Sequence, residues 1–287
     1  MGTSARPPRR AAVLGHPIVH SLSPTLHRAA YAALGLDEWR YDAVDVSEDE
    51  LAAFVGALDE TWAGLSLTMP LKQTVLGLLD HVEPLAEVVG AVNTVLLQGS
   101  GAGRVLVGAN TDVYGLVTAL GEGLPGGAGT RVGTGAVLGA GATAASTLAA
   151  LGQLGCTTPV VYVRSVQRAG GLLRAAHRMG VQPVLRSLDA AAEQIGTADV
   201  VVSTLPPFAA DDLASALPAA RPAGVLLDVA YDPRPTALSA AWAGRGGVVV
   251  RGERMLLHQA VEQVRLMTGR PGPVDAMAAA LDARLSS

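Results

Sequence analysis

The chain has 287 residues, of which 49% are hydrophobic and 16% charged, and its formal net charge is −4. This length allows two domains with separate cores, and the lack of a basic block in the sequence argues against a nucleic-acid partner. The sequence shows no uninterrupted apolar run of membrane-spanning length and no signal-peptide pattern, and its single Cys156 excludes an internal disulfide and a Cys-based metal site. We therefore expect a cytoplasmic protein with no membrane partner and no metal.

The first part of the chain predicts an α/β domain, because short apolar strands alternate with helical patterns. A basic cluster at residues 6–10, interrupted by proline, predicts a disordered tail before the first strand. Strands are expected at residues 11–15, 39–46, 63–67, 92–98 and 104–107. Helices are expected at residues 25–34, 48–58, 69–79, 83–89 and 112–120.

The second part of the chain alternates strand and helix more regularly, which is typical of a doubly wound parallel sheet. Strands are expected at residues 136–138, 159–163, 183–185, 200–203, 225–229 and 248–250. Helices are expected at residues 142–154, 165–179, 188–195, 236–243 and 251–268, with a terminal helix after the Pro-Gly-Pro at 271–273.

Lys72 is the only lysine among the 21 Lys and Arg residues of the sequence. Asparagine is also rare, with only Asn93 and Asn110 in the sequence. We ascribe the scarcity of lysine and of asparagine to a codon bias. An exposed lysine is readily exchanged for arginine, but a lysine that must release and regain a proton is not, because guanidinium stays charged. Lys72 is therefore a candidate for proton transfer, and a surface lysine left by chance is the alternative.

Residues 139–144 read Gly-Ala-Gly-Ala-Thr-Ala and fit the pattern G-x-G-x-x-A between a predicted strand and a predicted helix. Gly139 would allow the tight turn, Gly141 would let the backbone approach a pyrophosphate, and Ala144 would let the helix pack close to the sheet. The helix N-terminus would then face the phosphates. This context predicts a dinucleotide-binding turn.

The end of the next strand bears on the choice of cofactor. An acidic residue at that point would bind the ribose 2′-hydroxyl of NAD. The sequence has Arg164 and Arg168 there instead of an acid, and both could bind a 2′-phosphate. NADP is therefore favoured over NAD, and two arginines at a solvated helix start are the alternative.

A nicotinamide enzyme acting on an alcohol or ketone needs a proton donor and groups that orient the substrate. Lys72 is the natural donor, and Asp112 is a candidate partner that would position its ammonium; a helix N-cap is the alternative for Asp112. Ser21 and Ser23 lie on a loop that a proline closes, where hydroxyls could bind a carboxylate, although turn structure is the alternative. Turn structure is also the alternative for Asn93 and Asn110.

Six ordered segments from residue 11 onward resemble the shikimate dehydrogenase family. Together they are far more specific than the glycine turn alone. They are Gly15-His-Pro-Ile-Val-His-Ser-Leu-Ser-Pro24, Leu67-Thr-Met-Pro-Leu-Lys72, Gly90-Ala-Val-Asn-Thr94, Asn110-Thr-Asp112, Asp228-Val-Ala-Tyr-Asp-Pro233 and Gly252-Glu-Arg-Met-Leu-Leu-His-Gln259.

The resemblance implies a substrate-binding domain at residues 1–111 and 252–287 and an NADP-binding Rossmann domain at residues 112–251, so that the C-terminal helices return to the first domain. The implied reaction is the reversible reduction of 3-dehydroshikimate to shikimate by NADPH, a step of chorismate and aromatic amino acid biosynthesis. Lys72 and Asp112 are the implied catalytic pair. The implied substrate ligands besides that pair are Ser21, Ser23, Thr68, Asn93, Tyr231 and Gln259. The implied NADP ligands are Gly139, Ala140, Gly141, Ala142, Thr143, Arg164, Ser165, Arg168, Val229, Gly252 and Met255.

The sequence departs from the family pattern at three places. Ser66 stands where the family usually has asparagine, which predicts a shorter or water-mediated hydrogen bond to the substrate. Val163 replaces an asparagine beside Arg164, and the glycine turn differs slightly in its small residues. None of these changes removes a catalytic group.

Two other functions stay open at this point. One is a quinate or quinate/shikimate dehydrogenase that uses NAD, against which Ser23 and Arg164 both argue. The other is an NADP-binding regulator without catalysis, which would need neither Lys72 nor Asp112. The sequence also leaves the oligomeric state open, a homodimer included.

Overall fold

The computed structural model describes residues 8–99 and 101–286. The chain forms two compact units, which we call the first unit (Met1–Thr111 with Gln259–Ser287) and the second unit (Asp112–His258). The chain returns to the first unit at Gln259, inside a helix. The sequence predicts this boundary seven residues earlier, at position 252. The assignment of substrate to one unit and cofactor to the other stays a prediction.

Strands and helices alternate over most of the described residues, except for two consecutive strands at residues 94–109 and two consecutive helices from residue 252 onward. The strands are β1 Arg9–Gly15, β2 Trp39–Asp45, β3 Trp62–Leu67, β4 His81–Val82, β5 Thr94–Gln98, β6 Val105–Ala109, β7 Gly135–Leu138, β8 Val160–Val163, β9 Val184–Ser187, β10 Val200–Ser203, β11 Val225–Asp228 and β12 Val248–Arg251. The α-helices are α1 Ser23–Ala33, α2 Glu48–Gly56, α3 Leu71–Thr74, α4 Pro84–Val89, α5 Asp112–Gly123, α6 Ala142–Gln153, α7 Gly170–Arg178, α8 Ala191–Gln194, α9 Asp211–Ala216, α10 Ala237–Gly244, α11 Gly252–Thr268 and α12 Val274–Ser286.

The first unit contains a six-stranded mixed sheet in the order β2-β1-β3-β5-β6-β4. Strand β1 pairs in parallel with β2 and β3, and β5 pairs antiparallel with β3 and β6. All six residues of β3 are buried, as expected for a central strand covered on both faces. In the core of the first unit, Leu14, Leu65 and Leu67 pack with residues of α2 and α3. Helix α12 packs against α1.

The second unit contains a six-stranded sheet in the order β12-β11-β10-β7-β8-β9, and all its pairs are parallel. Numbered within this unit, the order is 6-5-4-1-2-3, which is the strand order of the Rossmann fold. The predicted doubly wound parallel sheet is therefore confirmed. The order reverses between β7 and β10, so a crevice is expected at the carboxyl ends of these strands.

Three sequence predictions about local structure are wrong. The helix predicted at residues 188–195 is reduced to the four residues of α8 between two 3₁₀ turns. The predicted tail includes Arg9 and Arg10, yet both lie in β1, and Arg10 lies over the ring of Trp62 with its guanidinium carbon 4.4 Å from the centroid; residues 6 and 7 lie outside the described residues. The helix predicted at residues 69–79 has only one turn, α3, and then tightens into a 3₁₀ helix at Val75–Leu78, where Gly77 lowers helix propensity.

The sequence analysis also missed β4 and α9, because each is too short to show a clear period. Within residues 8–99 and 101–286, no helix is both long and apolar enough to cross a membrane.

Candidate functional site

Ser21 lies on the loop that joins β1 to α1, and this loop leads directly into Ser23. The backbone N–H of Ser21 donates to the carbonyl of Ile18 at 3.0 Å, and the N–H of Ser23 donates to Ser21 Oγ at 3.3 Å. Ser23 is buried and is the first residue of α1, so the helix begins two residues earlier than predicted. The two predicted ligands therefore lie together at the start of a helix.

The same loop is attached to the end of β2 through Asp45. His16 Nδ1 lies 2.6 Å from Asp45 Oδ1, and the backbone N–H of Ile18 donates to Asp45 Oδ2 at 3.3 Å. The hydrogen bond and charge of Asp45 raise the pKa of His16, and the hydrogen bond from His16 is the main cause that lowers the pKa of Asp45. Both side chains are exposed, so this ion pair attaches the loop at residues 16–22, which we call the serine loop, to β2 at the protein surface.

Lys72 lies in the first turn of α3, as predicted, although that helix is short. Its side chain is half-buried, and its backbone carbonyl accepts the N–H of Val92 at 2.8 Å. Thr68, which follows β3, packs so close to Gly15 that a Cβ on Gly15 would lie 2.3 Å from Thr68 Cγ2. The glycine at the end of β1 is therefore required for this approach.

Asn93 is the centre of a buried hydrogen-bond cluster in the first unit. Its Oδ1 accepts the backbone N–H of Thr111 at 2.8 Å and the hydroxyl of Thr94 at 2.9 Å. Its Nδ2 donates to Thr111 Oγ1 at 2.9 Å and to Gln259 Oε1 at 3.2 Å. The structure thus brings Asn93 and Gln259 into contact, and their role as ligands stays a prediction.

Asn110 has a different role from Asn93. Its Nδ2 donates to the carbonyl of Ala91 at 2.9 Å, which holds the loop before β5 to the end of β6. This contact agrees with the turn role that the sequence left open for Asn110.

A second group of buried polar side chains adjoins this cluster. Tyr41 donates its hydroxyl to Ser66 Oγ at 2.6 Å, and Ser66 donates to Gln263 Oε1 at 2.9 Å. Gln263 Nε2 donates to the Asn93 carbonyl at 3.1 Å and to Thr94 Oγ1 at 3.0 Å. Burial raises the pKa of Tyr41 well above its ordinary value, so the phenol stays protonated.

The sequence analysis missed four residues of these two groups. It assigned no role to Tyr41, Thr94, Thr111 or Gln263, and it treated Ser66 only as a departure. A signal was available for one of them: Gln263 follows Gln259 by four positions, which places both on the same helix face.

Asp112 opens α5 in the second unit, where the sequence predicts a helix start. Its residue is 3% exposed, so the carboxyl group is withdrawn from bulk solvent. An acidic group at this place is favourable because it interacts with the positive end of the helix dipole.

The glycine turn of the second unit has the geometry that its pattern predicts. Gly139 follows β7 with a φ of +111°, and a Cβ there would lie 2.5 Å from Thr204 Oγ1. Thr204 is held in place because its hydroxyl donates to the carbonyl of Leu138 at 2.8 Å. Gly141 is extended, and a Cβ built there would meet nothing within 4 Å. Ala144, in the first turn of α6, is fully buried. The backbone of the turn therefore leaves room for a phosphate group at the N-terminus of α6.

Arg164, Ser165 and Arg168 lie just after β8, the strand that pairs with β7. Both arginines are exposed and Ser165 is half-buried. The N–H of Arg168 donates to the carbonyl of Ser165 at 3.2 Å, which closes the turn that carries both charges. The glycine turn and these arginines thus occupy the same edge of the sheet, as their prediction as ligands of one dinucleotide requires.

The ends of β11 and β12 also meet in the second unit. A Cβ on Gly252 would lie 2.5 Å from the carbonyl oxygen of Val229, so only glycine fits there. Tyr231 is half-buried, and burial raises the pKa of its phenol. Met255, one turn into α11, is buried. Val229 and Gly252 are therefore neighbours, as predicted for residues along one ligand.

Comparisons with known proteins give consistent results for the whole chain. Residues 13–95 match the family model of the shikimate dehydrogenase substrate binding domain, and residues 252–281 match that of the shikimate 5′-dehydrogenase C-terminal domain. The chain is 38% identical over 275 residues to the shikimate dehydrogenase (NADP(+)) of Rubrobacter xylanophilus, covering 94% of each protein.

The fold is also similar to solved structures, of which two are examples. The shikimate dehydrogenase of Mycobacterium tuberculosis is 39% identical, with a TM-score of 0.85 over 96% of this chain and 100% of that chain. The enzyme of Thermus thermophilus, solved in complex with NADP(H) and shikimate, is 34% identical, with a TM-score of 0.77 over 95% of this chain and 98% of that chain.

Proposed function

This chain belongs to the shikimate dehydrogenase family, and we propose that it catalyses the NADP-dependent, reversible reduction of 3-dehydroshikimate to shikimate in chorismate biosynthesis. The observation that carries the proposal is the buried hydrogen-bond cluster around Asn93, a residue within the region that matches the substrate-binding domain. A polar cluster that is buried and largely satisfied by its own members is rigid, which suits the binding of a ring with several hydroxyl groups.

The substrate carboxylate would be bound by Ser21 and Ser23 at the start of α1, with Thr68 nearby and Tyr231 as a further ligand. The two serines are suited to this task because they are held together by a hydrogen bond and lie at a helix N-terminus, which favours a negative charge. The ring hydroxyls would be bound by Asn93 and Gln259.

Lys72 and Asp112 would form the catalytic pair. Two contacts support this role: the Lys72 carbonyl accepts the N–H of Val92, next to Asn93, and Asn93 binds Thr111, next to Asp112. Lys72 is therefore hydrogen-bonded to the residue before Asn93, and Asp112 directly follows Thr111 in the chain. A carboxylate attracts an ammonium group, so Asp112 would position the amine of Lys72 for proton transfer.

NADP fits the second unit. The left-handed Gly139, the open Gly141 and the exposed arginines after β8 are the features that a dinucleotide with a 2′-phosphate needs. When bound, NADPH supplies the hydride that reduces the substrate carbonyl carbon. Val229, Gly252 and Met255 would line the nicotinamide, and Arg164, Ser165 and Arg168 would hold the 2′-phosphate.

The protein's own residues perform the proton transfer and the orientation of the substrate. Lys72 donates a proton to the carbonyl oxygen as it becomes an alkoxide, and in the reverse direction it takes the proton from the hydroxyl group. Asn93 and Gln259 hold the ring so that this oxygen stays within reach of Lys72. The cytoplasmic location and a homodimeric state stay predictions.

A steady-state assay with shikimate and quinate, each with NADP and NAD, tests the proposed activity. We expect the highest kcat/KM with shikimate and NADP. A preference for quinate and NAD would favour the quinate dehydrogenase alternative instead. No turnover in any of the four combinations, with NADP still bound, would favour a non-catalytic NADP-binding regulator.

Substitution of Lys72 tests the catalytic role directly. Lys72→Ala should lower kcat by about 10² to 10⁴-fold, the usual contribution of general acid–base catalysis, with a smaller change in KM. Lys72→Arg is the sharper variant, because it keeps the charge but does not release a proton near neutral pH. Near-normal turnover of Lys72→Arg would remove Lys72 from the proton-transfer role.

A further inference from the structure

The hydrogen bonds that run from Tyr41 to Asn93 have a defined direction. The Gln263 amide donates to a backbone carbonyl, which only accepts, so Gln263 Oε1 must be the atom that faces Ser66. Ser66 therefore uses its only proton on Gln263 and must accept the bond from Tyr41. Since every bond in this series is fixed by the next one, the phenol of Tyr41 is its first donor.

We propose that Tyr41 is a positioning residue for the substrate, whose hydroxyl acts through Ser66 and Gln263 to hold the amide of Asn93 in its binding orientation. The inference rests on the proposed function, because it takes the ring of shikimate as the ligand of Asn93. It extends that function to a residue that the sequence does not single out.

The series connects elements that are distant in the chain. Tyr41 belongs to β2, Ser66 to β3 and Gln263 to α11, and 197 positions separate Ser66 from Gln263. Gln263 also fixes the backbone of Asn93 and, through the hydroxyl of Thr94, its side-chain oxygen. A change at the first donor is therefore transmitted to both the backbone and the side chain of Asn93.

Packing holds the phenol of Tyr41 in place. Its residue is 1% exposed, and its ring stacks on His27 at a centroid distance of 3.9 Å with an interplanar angle of 12°. Removal of the hydroxyl alone would keep this stack, so Tyr41→Phe separates the contacts of the hydroxyl, with Ser66 and with Ser23, from the packing. Ser66 would then keep its bond to Gln263 but lose the donor that orients it.

Tyr31 offers a matched control in the same aromatic cluster. Its residue is 3% exposed, its ring lies 6.4 Å from that of Tyr41, and within the described residues its hydroxyl has no hydrogen-bond partner. Tyr31→Phe therefore makes the same chemical change at a similar depth without touching the series.

The test measures binding of shikimate and of NADP by calorimetry, together with kcat, KM and Tm, in the full-length protein. We expect Tyr41→Phe to weaken shikimate binding about five- to tenfold, the effect of one lost hydrogen bond, with NADP binding unchanged and kcat within about twofold. Tyr31→Phe should leave shikimate binding at the wild-type value. A general loss of structure would instead lower Tm and weaken both ligands.

The variant Ser66→Ala and the double variant Tyr41→Phe/Ser66→Ala decide whether Tyr41 acts through Ser66. We expect the double variant to bind shikimate no more weakly than Ser66→Ala alone, because the series is already broken. Two results would overturn this inference but not the proposed function. One is a double variant whose loss of shikimate affinity equals the product of the two single losses, and the other is unchanged shikimate binding by Tyr41→Phe when the wild type binds shikimate. No binding of shikimate by the wild type would overturn the proposed function and this inference with it.

Discussion

The side-chain oxygen of Asn93 accepts the backbone N–H of Thr111 at 2.8 Å. Because a backbone N–H only donates, this contact determines which end of the Asn93 amide is oxygen. The nitrogen end must then face Gln259 and the hydroxyl of Thr111. The orientation of a residue that we assign to substrate binding is thus set by the chain segment that leads into Asp112.

Thr111→Val should weaken the substrate site without removing this orientation. The backbone N–H remains, but Asn93 Nδ2 loses the hydroxyl acceptor, so the nitrogen end of the amide is left with the longer bond to Gln259 Oε1. We expect a KM for shikimate about fivefold higher and an unfolding free energy about 1 kcal/mol lower, the usual effects of one buried hydrogen bond. Steady-state kinetics and urea unfolding measure both quantities.

Thr130→Val is the control, because its hydroxyl donates to the carbonyl of Pro125 in the second unit and takes no part in the Asn93 cluster. We expect a wild-type KM for this variant. If Thr111→Val folds normally and also shows a wild-type KM, Asn93 does not bind the substrate in the manner proposed.

The Rossmann unit was predictable from sequence, whereas the hydrogen-bond cluster was not. The second unit repeats strand and helix at short spacing, and the turn at Gly139 depends on neighbouring residues, so local patterns contain the information. The contacts of Ser66 with Tyr41 and Gln263 depend on how distant segments pack, and no periodicity encodes them. Asn93 was identified through family resemblance, but its partners Thr94 and Thr111 required the structure.

The two arginines after β8 should determine the preference for NADP. Replacement of Arg164 and Arg168 by alanine removes the positive charges that we assign to the 2′-phosphate, and charge-assisted hydrogen bonds to phosphate are the stronger kind. We expect the KM for NADP to rise by at least about tenfold, while the KM for NAD stays within about twofold. Kinetics with both cofactors measure this change in preference.

Arg174→Ala is the matched control, since Arg174 is exposed on the following helix, α7. It removes one positive charge from the same region and should leave the KM for NADP unchanged. A double variant with unchanged NADP preference would show that Arg164 and Arg168 are solvated surface residues.

His27 should make the protein less stable at acidic pH. Full burial lowers the pKa of His27 to about 4, although its hydrogen bond with the Ser23 carbonyl opposes this shift. Between that value and the ordinary pKa of about 6.5, the unfolded chain binds more protons than the folded one, so stability rises with pH across this window. The contribution lost on going from pH 6.5 to pH 4 is on the order of 3 kcal/mol.

Urea unfolding at several pH values between 4.5 and 7 measures this effect. His27→Phe keeps a ring against Tyr41 and removes the titrating group, so its stability should depend less steeply on pH than that of the wild type. His177→Gln, which changes an exposed histidine of α7, should keep the wild-type slope. Equal slopes for His27→Phe and the wild type would show that His27 does not control the acid response.

His16 and Asp45 should tie substrate binding to pH through the serine loop. The pKa of His16 is raised, so its stabilising contribution is present below the ordinary value near 6.5 and is lost as pH rises through the folded value. The pKa of Asp45 is lowered, so its contribution is present above its ordinary value and is lost as pH falls through the folded one. The pair is therefore strongest between these two limits.

Because the loop that this pair fastens leads to Ser21, loss of the pair should loosen the carboxylate site. We expect the KM for shikimate to rise about two- to threefold as pH increases through the folded pKa of His16, a small effect because the pair is exposed. Asp45→Asn should abolish this step and return the pKa of His16, measured by NMR titration, toward its ordinary value. Asp42 lies on the same strand as Asp45 and is an exposed partner of Arg28. Asp42→Asn should therefore preserve the rise in KM with pH and the raised pKa of His16. If the KM profiles of the wild type and Asp45→Asn coincide while the pKa of His16 differs, the ion pair exists but does not position the serine loop.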